Sequence, residues 1–235
     1  MDQDQPIGPP LPDWTPPPIP KRESAVGRFS RIVPLDPARH GRALFDAFAE
    51  DTEGRNWTYL PYGPFARFED FDDWLRSIAA AEDPQFYTIL REDTEEPAGL
   101  ASYLRFDPVN GSIEVGHLHF SNNIQRSPVT TEAMFLMMKR AFDLGYRRYE
   151  WKCDALNAPS RAAAARLGFT FEGIFRQALI YKGRNRDTAW YAIIDSDWPA
   201  LEMAYESWLT ADNFDENGCQ RQRLGELVSG ASPRN

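Results

Sequence analysis

Cysteine is scarce in this chain: Cys153 and Cys219 are the only two among 235 residues. Two thiols build neither a disulfide framework nor a metal centre, so no metal is expected, and Cys153 reads as a core residue of a strand. No apolar run is long enough to span a bilayer. Positive charge is also short, with 26 Lys and Arg against 35 Asp and Glu, a formal net charge of −9. General nucleic-acid binding needs clustered basic surface, so that class is set aside. The first residues are acidic and proline-rich, where a secretory leader is basic and then apolar. A cytoplasmic protein with no membrane or nucleic-acid partner is the expectation.

What is present suits one α/β domain with extensions, since 42% of the residues are hydrophobic. Prolines at 6, 9, 10, 12, 16, 17, 18 and 20 forbid helix and central strand there. Residues 1–26 therefore read as an extended or disordered arm, with Trp14 as its packing point. A folded domain over 27–210 and a polar tail over 211–235 complete the division. Within the domain, Arg28–Pro34 reads as the first strand, and Asp36 or a neighbour caps a helix to about Asp51. A second helix is expected over Phe68–Ala81. Strands follow at Phe86–Arg91, Gly99–Phe106 and Ser112–Phe120, the last after the turn Asp107–Gly111. A helix over Pro128–Leu144 leads to a strand over Tyr146–Cys153. Gln177–Lys182 and Thr188–Ile194 read as a final hairpin, and Trp198–Leu209 as a terminal helix.

The most informative stretch is Asn157-Ala-Pro-Ser160, followed by Arg166-Leu-Gly168-Phe169 and Phe171-Glu172-Gly173. Asn157 is a strong N-cap, the alanine run that follows favours helix, and Gly168 supplies a left-handed exit into a strand. Ser160 lies one turn inside, so both polar residues face the helix mouth, as caps or as ligand-holding groups. Before it come a strand, a polar loop, a helix opening on Thr131-Glu132-Ala133, and another strand. This order and these residues resemble the GCN5-related N-acetyltransferase (GNAT) superfamily, and within it the RimJ/RimL-like branch, over roughly Gly27 to Trp198. The resemblance implies an α/β fold, an α+β mixed sheet of about seven mostly antiparallel, twisted strands flanked by helices. It also implies acetyl-CoA as co-substrate and transfer of an acetyl group to a primary amine of a small molecule, an amino acid or a peptide N-terminus. A non-catalytic CoA-binding or interaction module is the alternative.

The resemblance further implies site residues. The backbone of Val115, Gly116, His117 and Leu118 would hold the pantetheine arm. Gln125, Arg126, Ser127, Val129, Thr130 and Thr131, together with Asn157, would hold the rest of CoA, phosphates at a helix N-terminus being favoured by its free N–H groups and dipole. The family pattern places glycines where this chain has Arg126 and Pro128. Arg126 is then either a phosphate ligand or a solvated loop arginine. A tyrosine that many relatives use as general acid is replaced by Ala164, whereas Ser160 matches the serine of the RimL-like branch. Ser160 is therefore the candidate acid. Glu114, in an otherwise apolar strand, is the candidate base, unless Lys152, Arg176 or another cation pairs with it. His117 and His119 share a face with Ile113 and Val115 in a regular strand and are further candidates; a bulge would change that. Trp57, Tyr59, Tyr62 and Phe65 read as an acceptor pocket or as a clamp packing their loop onto the sheet. Oligomeric state stays open, with the final hairpin and terminal helix as surfaces for a homodimer.

Overall fold

A computed structural model of the chain describes residues 5–216 and 218–231. Its centre is an eight-stranded sheet. In chain order the strands are β1 (Ala25–Val26), β2 (Ser30–Pro34), β3 (Gln85–Arg91), β4 (Pro97–Asp107), β5 (Ser112–Phe120), β6 (Arg148–Asp154), β7 (Thr170–Tyr181) and β8 (Arg184–Ile194). They lie side by side as β1-β2-β3-β4-β5-β6-β8-β7. All neighbours are antiparallel except β5 and β6. A parallel pair cannot be joined by a tight turn, and the connection between these two runs through a long helix.

Among the described residues six α-helices cover the sheet: α1 (Pro37–Ala49), α2 (Phe68–Ala79), α3 (Pro128–Asp143), α4 (Ala158–Arg166), α5 (Trp198–Leu209) and α6 (Leu224–Ala231). The periodic apolar stripes predicted for α1 and α2 meet one face, where Leu44, Phe48, Phe71 and Leu75 pack with Phe86 and Leu100. The other face is larger: Met137, Ala164, Leu201 and Val228 from α3, α4, α5 and α6 pack with Ile89, Tyr103, Ile113 and Tyr149. Asp36 caps α1 as expected, its Oδ1 accepting from the N–H groups of Ala38 and Arg39 at 3.0 and 3.3 Å.

The position of α3 is fixed by Glu132, the middle residue of Thr131-Glu132-Ala133. Its carboxylate is buried and accepts from the backbone N–H groups of Arg28, Phe29 and Ser30 at 2.6–2.7 Å. The Ser30 hydroxyl adds a fourth bond at 3.1 Å. A side chain at Gly27 would run into that carboxylate, so glycine there permits the close approach.

Three boundaries differ from the sequence-based expectation. The stretch assigned to the arm contains β1, paired with β2, and Trp14 packs as anticipated, its indole N–H donating to Val109 O at 3.1 Å. The strand after Gly168-Phe169 and the first half of the final hairpin are one strand, β7. A register shift between Phe175 and Leu179, with Gln177 at φ +52°, interrupts its pattern. The stretch expected as a polar tail folds back: Phe214, Leu224 and Val228 are core residues. Three apolar side chains spaced among polar ones are too sparse a signal to read locally. Among the described residues no helix is long and apolar enough to cross a membrane.

Candidate functional site

The pairing of β5 with β6 runs only from Ser112–Val115 to Arg148–Trp151, although the strands continue to Phe120 and Asp154. Beyond Val115 and Trp151 they diverge, and among the described residues the edge of β5 that faces β6 has no strand partner. Unpaired N–H and C=O groups in that gap can hold an extended amide-bearing chain in the manner of a sheet edge. The residues at the divergence, Gly116 to Leu118, are those the family resemblance assigns to the pantetheine arm.

A β-bulge sits at this point. His117 has φ +51°, and the β4–β5 register shifts between Leu100 and Ser102. One extra residue inverts the alternation of side chains. Ile113 and Val115 belong to the core under α3, and Leu118 and Phe120 also pack against it. His117 and His119 instead turn to the α1–α2 face, so the regular-strand expectation that they share a face with Ile113 and Val115 does not hold. His119 lies between Phe48 and Trp57, with ring centroids 4.0 and 3.9 Å away, and neither of its nitrogens has a partner among the described residues. Burial pushes it down to about 3. His117 Nδ1 is bonded to the Tyr62 hydroxyl at 2.9 Å. Burial, with help from the charges of Arg105 and Arg186, pushes it down to about 4.

Glu114 is on the same face and is 3% exposed. Its surroundings are ionic: Oε2 accepts from Arg105 Nη1 at 2.6 Å and lies 2.9 Å from Lys152 Nζ. Pairing with Lys152, Arg176 or another cation was the alternative to Glu114 as a base; Lys152 and Arg105 are the cations found. Lys152 also contacts Glu150 at 2.7 Å and lies 3.7 Å from the Trp190 ring centroid. Both cations meet Oε2. Oε1 has no hydrogen-bond partner among the described residues and is directed near Gly116, where a Cβ would stand 3.6 Å from it.

Ser160 approaches the apex from the opposite face. Asn157 Oδ1 accepts from Ser160 N–H at 3.1 Å, so Asn157 is the cap that the sequence indicated, and Gly168 follows the helix at φ +94°. The Ser160 hydroxyl accepts from the Trp151 indole N–H at 3.0 Å. A hydroxyl that accepts retains its own proton to donate. Its neighbour Cys153 is buried, and burial pushes that thiol up while contact with Ser160 opposes the shift. Glu114 and Ser160 thus flank the start of the gap from its two sides.

The loop before α3 keeps a path suited to anions despite its lost glycines. Arg126 has φ +57°, the left-handed conformation that glycine adopts freely, at a cost of roughly 1 kcal/mol for a side-chain-bearing residue. Ser127 is the N-cap residue but leaves the helix uncapped, because its hydroxyl donates to Ile124 O at 2.6 Å. Pro128 brings no N–H, while the first-turn N–H groups of Val129 and Thr130 have no partner among the described residues. The hydroxyls of Thr130 and Thr131 both donate to Ser127 O at 3.2 Å. Gln125 is engaged within the protein, donating to Phe120 O at 2.9 Å and Asn56 Oδ1 at 3.1 Å. Arg166, which sequence reasoning passed over, donates to Thr131 Oγ1 at 3.2 Å and brings positive charge to the α3 mouth.

The aromatic loop divides. Trp57 and Phe65 pack with Phe71 and Trp74 in the α1–α2 core, the clamp reading. Tyr62 reaches His117, and the Tyr59 hydroxyl donates to Leu156 O at 3.1 Å, so these two border the gap. Lys182, at the tip of the β7–β8 hairpin, donates to Trp57 O at 2.8 Å. Among the described residues no group of three His, Cys, Asp or Glu side chains stands ready to hold a metal.

Comparison with known proteins agrees with this geometry. The family model described as an acetyltransferase (GNAT) domain matches residues 31–170. The crystal structure of a GCN5-related N-acetyltransferase from Brucella melitensis superposes with a TM-score of 0.91 at 45% identity, covering 93% of this chain and all of that one. The ribosomal-protein-serine acetyltransferase of Escherichia coli K12 is 31% identical over 114 residues, 48% of this chain. That match spans 62% of the curated relative, less than two thirds of its length.

Proposed function

The chain belongs to the GNAT acetyltransferase family, and on that premise we propose that it is an acetyl-CoA-dependent N-acetyltransferase acting on a primary amine in a ternary complex. The observation that carries this reading is the divergence of β5 from β6 beyond Val115 and Trp151, ending beside the uncapped N-terminus of α3. The residues present suit CoA. The open edge of Gly116–Leu118 takes the amides of the pantetheine arm, and the N–H groups of Val129 and Thr130, with Arg126 and Arg166, take the phosphates.

Acetyl-CoA supplies an acyl group on a good leaving thiol. The amine nitrogen bonds to the acetyl carbon, the carbon–sulfur bond breaks, and the thiol and the N-acetyl product leave. Two proton movements accompany this. Glu114 Oε1 takes the proton lost by the nitrogen, directly or through one water, the Ser160 hydroxyl gives a proton to the departing sulfur, and exchange with solvent deprotonates Glu114 and reprotonates Ser160. Backbone N–H groups at the β5 bulge face the acetyl oxygen as its charge grows. Asn157 holds the first turn of α4 and so sets where Ser160 stands.

The curated relative acts on a serine of a ribosomal protein by its name. For this chain the bridges of Tyr59 to Leu156 and Lys182 to Trp57 across the gap favour a small acceptor. The reading is tested by thiol release with acetyl-CoA and a panel of amines, with the acetylated product identified by mass. Ser160→Ala is expected to slow turnover by about tenfold or more with acetyl-CoA affinity nearly unchanged. Unaltered turnover removes Ser160 from the mechanism.

A further inference from the structure

The acceptor side of the gap carries a guanidinium that no carboxylate of the described residues pairs with. Arg186, on β8, stands two residues before Thr188, which pairs with Asp154 at the end of β6; its charge reaches His117 of β5 and Cys153 of β6, as do those of Asp83 and Asp154 respectively. Its Nε donates to Thr188 Oγ1 at 3.2 Å, and its guanidinium stands 5.7 Å from the Tyr181 ring centroid. Tyr181 is itself held by Asp154, at 2.8 Å. The guanidinium is thus oriented by its neighbours, yet among the described residues it has no carboxylate partner. Lys182 likewise spends its ammonium on a backbone carbonyl, Trp57 O. Arg105 is matched, since it meets Glu114 while Lys152 joins Glu114 to Glu150. Two cations without a carboxylate partner among the described residues, Arg186 and Lys182, therefore border one opening in a chain whose formal net charge is −9.

A guanidinium held in place and left without an anion is suited to take one as a ligand, since its fork matches a carboxylate with two parallel N–H···O bonds. We infer that the acceptor is a small amine that also bears a carboxylate, gripped by Arg186, so that its amino group points into the β5–β6 gap. The inference rests on the acetyl-transfer reading above and narrows its substrate class. The closed rim formed by Tyr59 and Lys182 limits the size of that acceptor, and the cations select its charge. Uncharged or cationic amines meet the same opening with no compensating anion, and positive charge there disfavours an ammonium.

The test pairs acceptors that differ in this group alone: amino acids against their carboxamides, assayed by thiol release at saturating acetyl-CoA, with wild type, Arg186→Gln and Arg186→Lys. Wild type is expected to prefer the free acids by about tenfold or more in kcat/KM, chiefly through KM. Arg186→Gln collapses that preference and Arg186→Lys restores part of it, while calorimetry with acetyl-CoA shows each variant to be folded. Equal use of acids and amides by wild type overturns the inference. So does an Arg186→Gln variant that loses kcat for both series and keeps their ratio, which marks a structural role. No product from either series removes the acetyl-transfer reading, and the inference with it.

Discussion

Two histidines, two and four residues beyond Val115 where the strands part, show how a single backbone angle redistributes chemistry. The positive φ of His117 turns both His117 and His119 away from the α3 core and into an aromatic cluster, where imidazolium is poorly solvated. His119 has a folded value of about 3 against an ordinary value of about 6.5. Between those values only the unfolded chain takes up the proton, so stability is complete above pH 6.5 and is lost as pH falls toward 3. The slope is at most about 1.4 kcal/mol per pH unit for each histidine. His117 adds a loss of the same sign down to about 4, and His40, lowered by burial, acts in the same direction. Urea unfolding is expected to show His119→Leu losing about 2 kcal/mol less than wild type between pH 6.5 and 4.5. Parallel curves would mean that His119 is already protonated in the folded chain.

At the scale of elements, the gap depends on where α3 stands, and α3 is tied to the β1–β2 turn by Glu132. A buried carboxylate with four donors leaves three backbone N–H groups unsatisfied if it is removed. Glu132→Ala is therefore expected to cost about 3 kcal/mol, the size of a broken buried polar network, measured by urea unfolding. A loss below about 1 kcal/mol would mean that water replaces the carboxylate readily. The α3 opening was legible as Thr131-Glu132-Ala133, yet no local pattern says that Glu132 reaches 102 to 104 residues back. The α4 opening was more fully legible, because capping is local: Asn157, Ser160 and Gly168 act within their own turn or the next. The bulge at His117 was not, since the conformation is imposed by pairing with β4 and nothing about histidine announces a positive φ. Arg126 hid in the same way, as a non-glycine doing what glycine does.

For the whole molecule, charge and topology are in tension. A chain with net charge −9 repels anions at long range, yet both CoA and the inferred acceptor are anionic. In the proposed reading local cations resolve this, Arg126 and Arg166 at the α3 mouth and Lys182 and Arg186 at the acceptor opening. The order of strands and helices from β2 to α5 was largely readable from periodicity and caps, and that order together with Thr131-Glu132-Ala133 and Asn157-Ala-Pro-Ser160 carried the resemblance to the family. The convergence of β4, β6 and β8 side chains on Glu114 and His117 was not, because those contacts join segments far apart in sequence. In the proposed function, diverging strands and an uncapped helix form a CoA cleft despite Arg126 and Pro128. Calorimetric titration with acetyl-CoA, and separately with CoA, tests it most directly. Dissociation constants on the order of micromolar, that is about −8 kcal/mol, are the predicted result for both. Absence of binding at millimolar ligand would contradict the account, and would mean that a loop without its glycines no longer presents its donors.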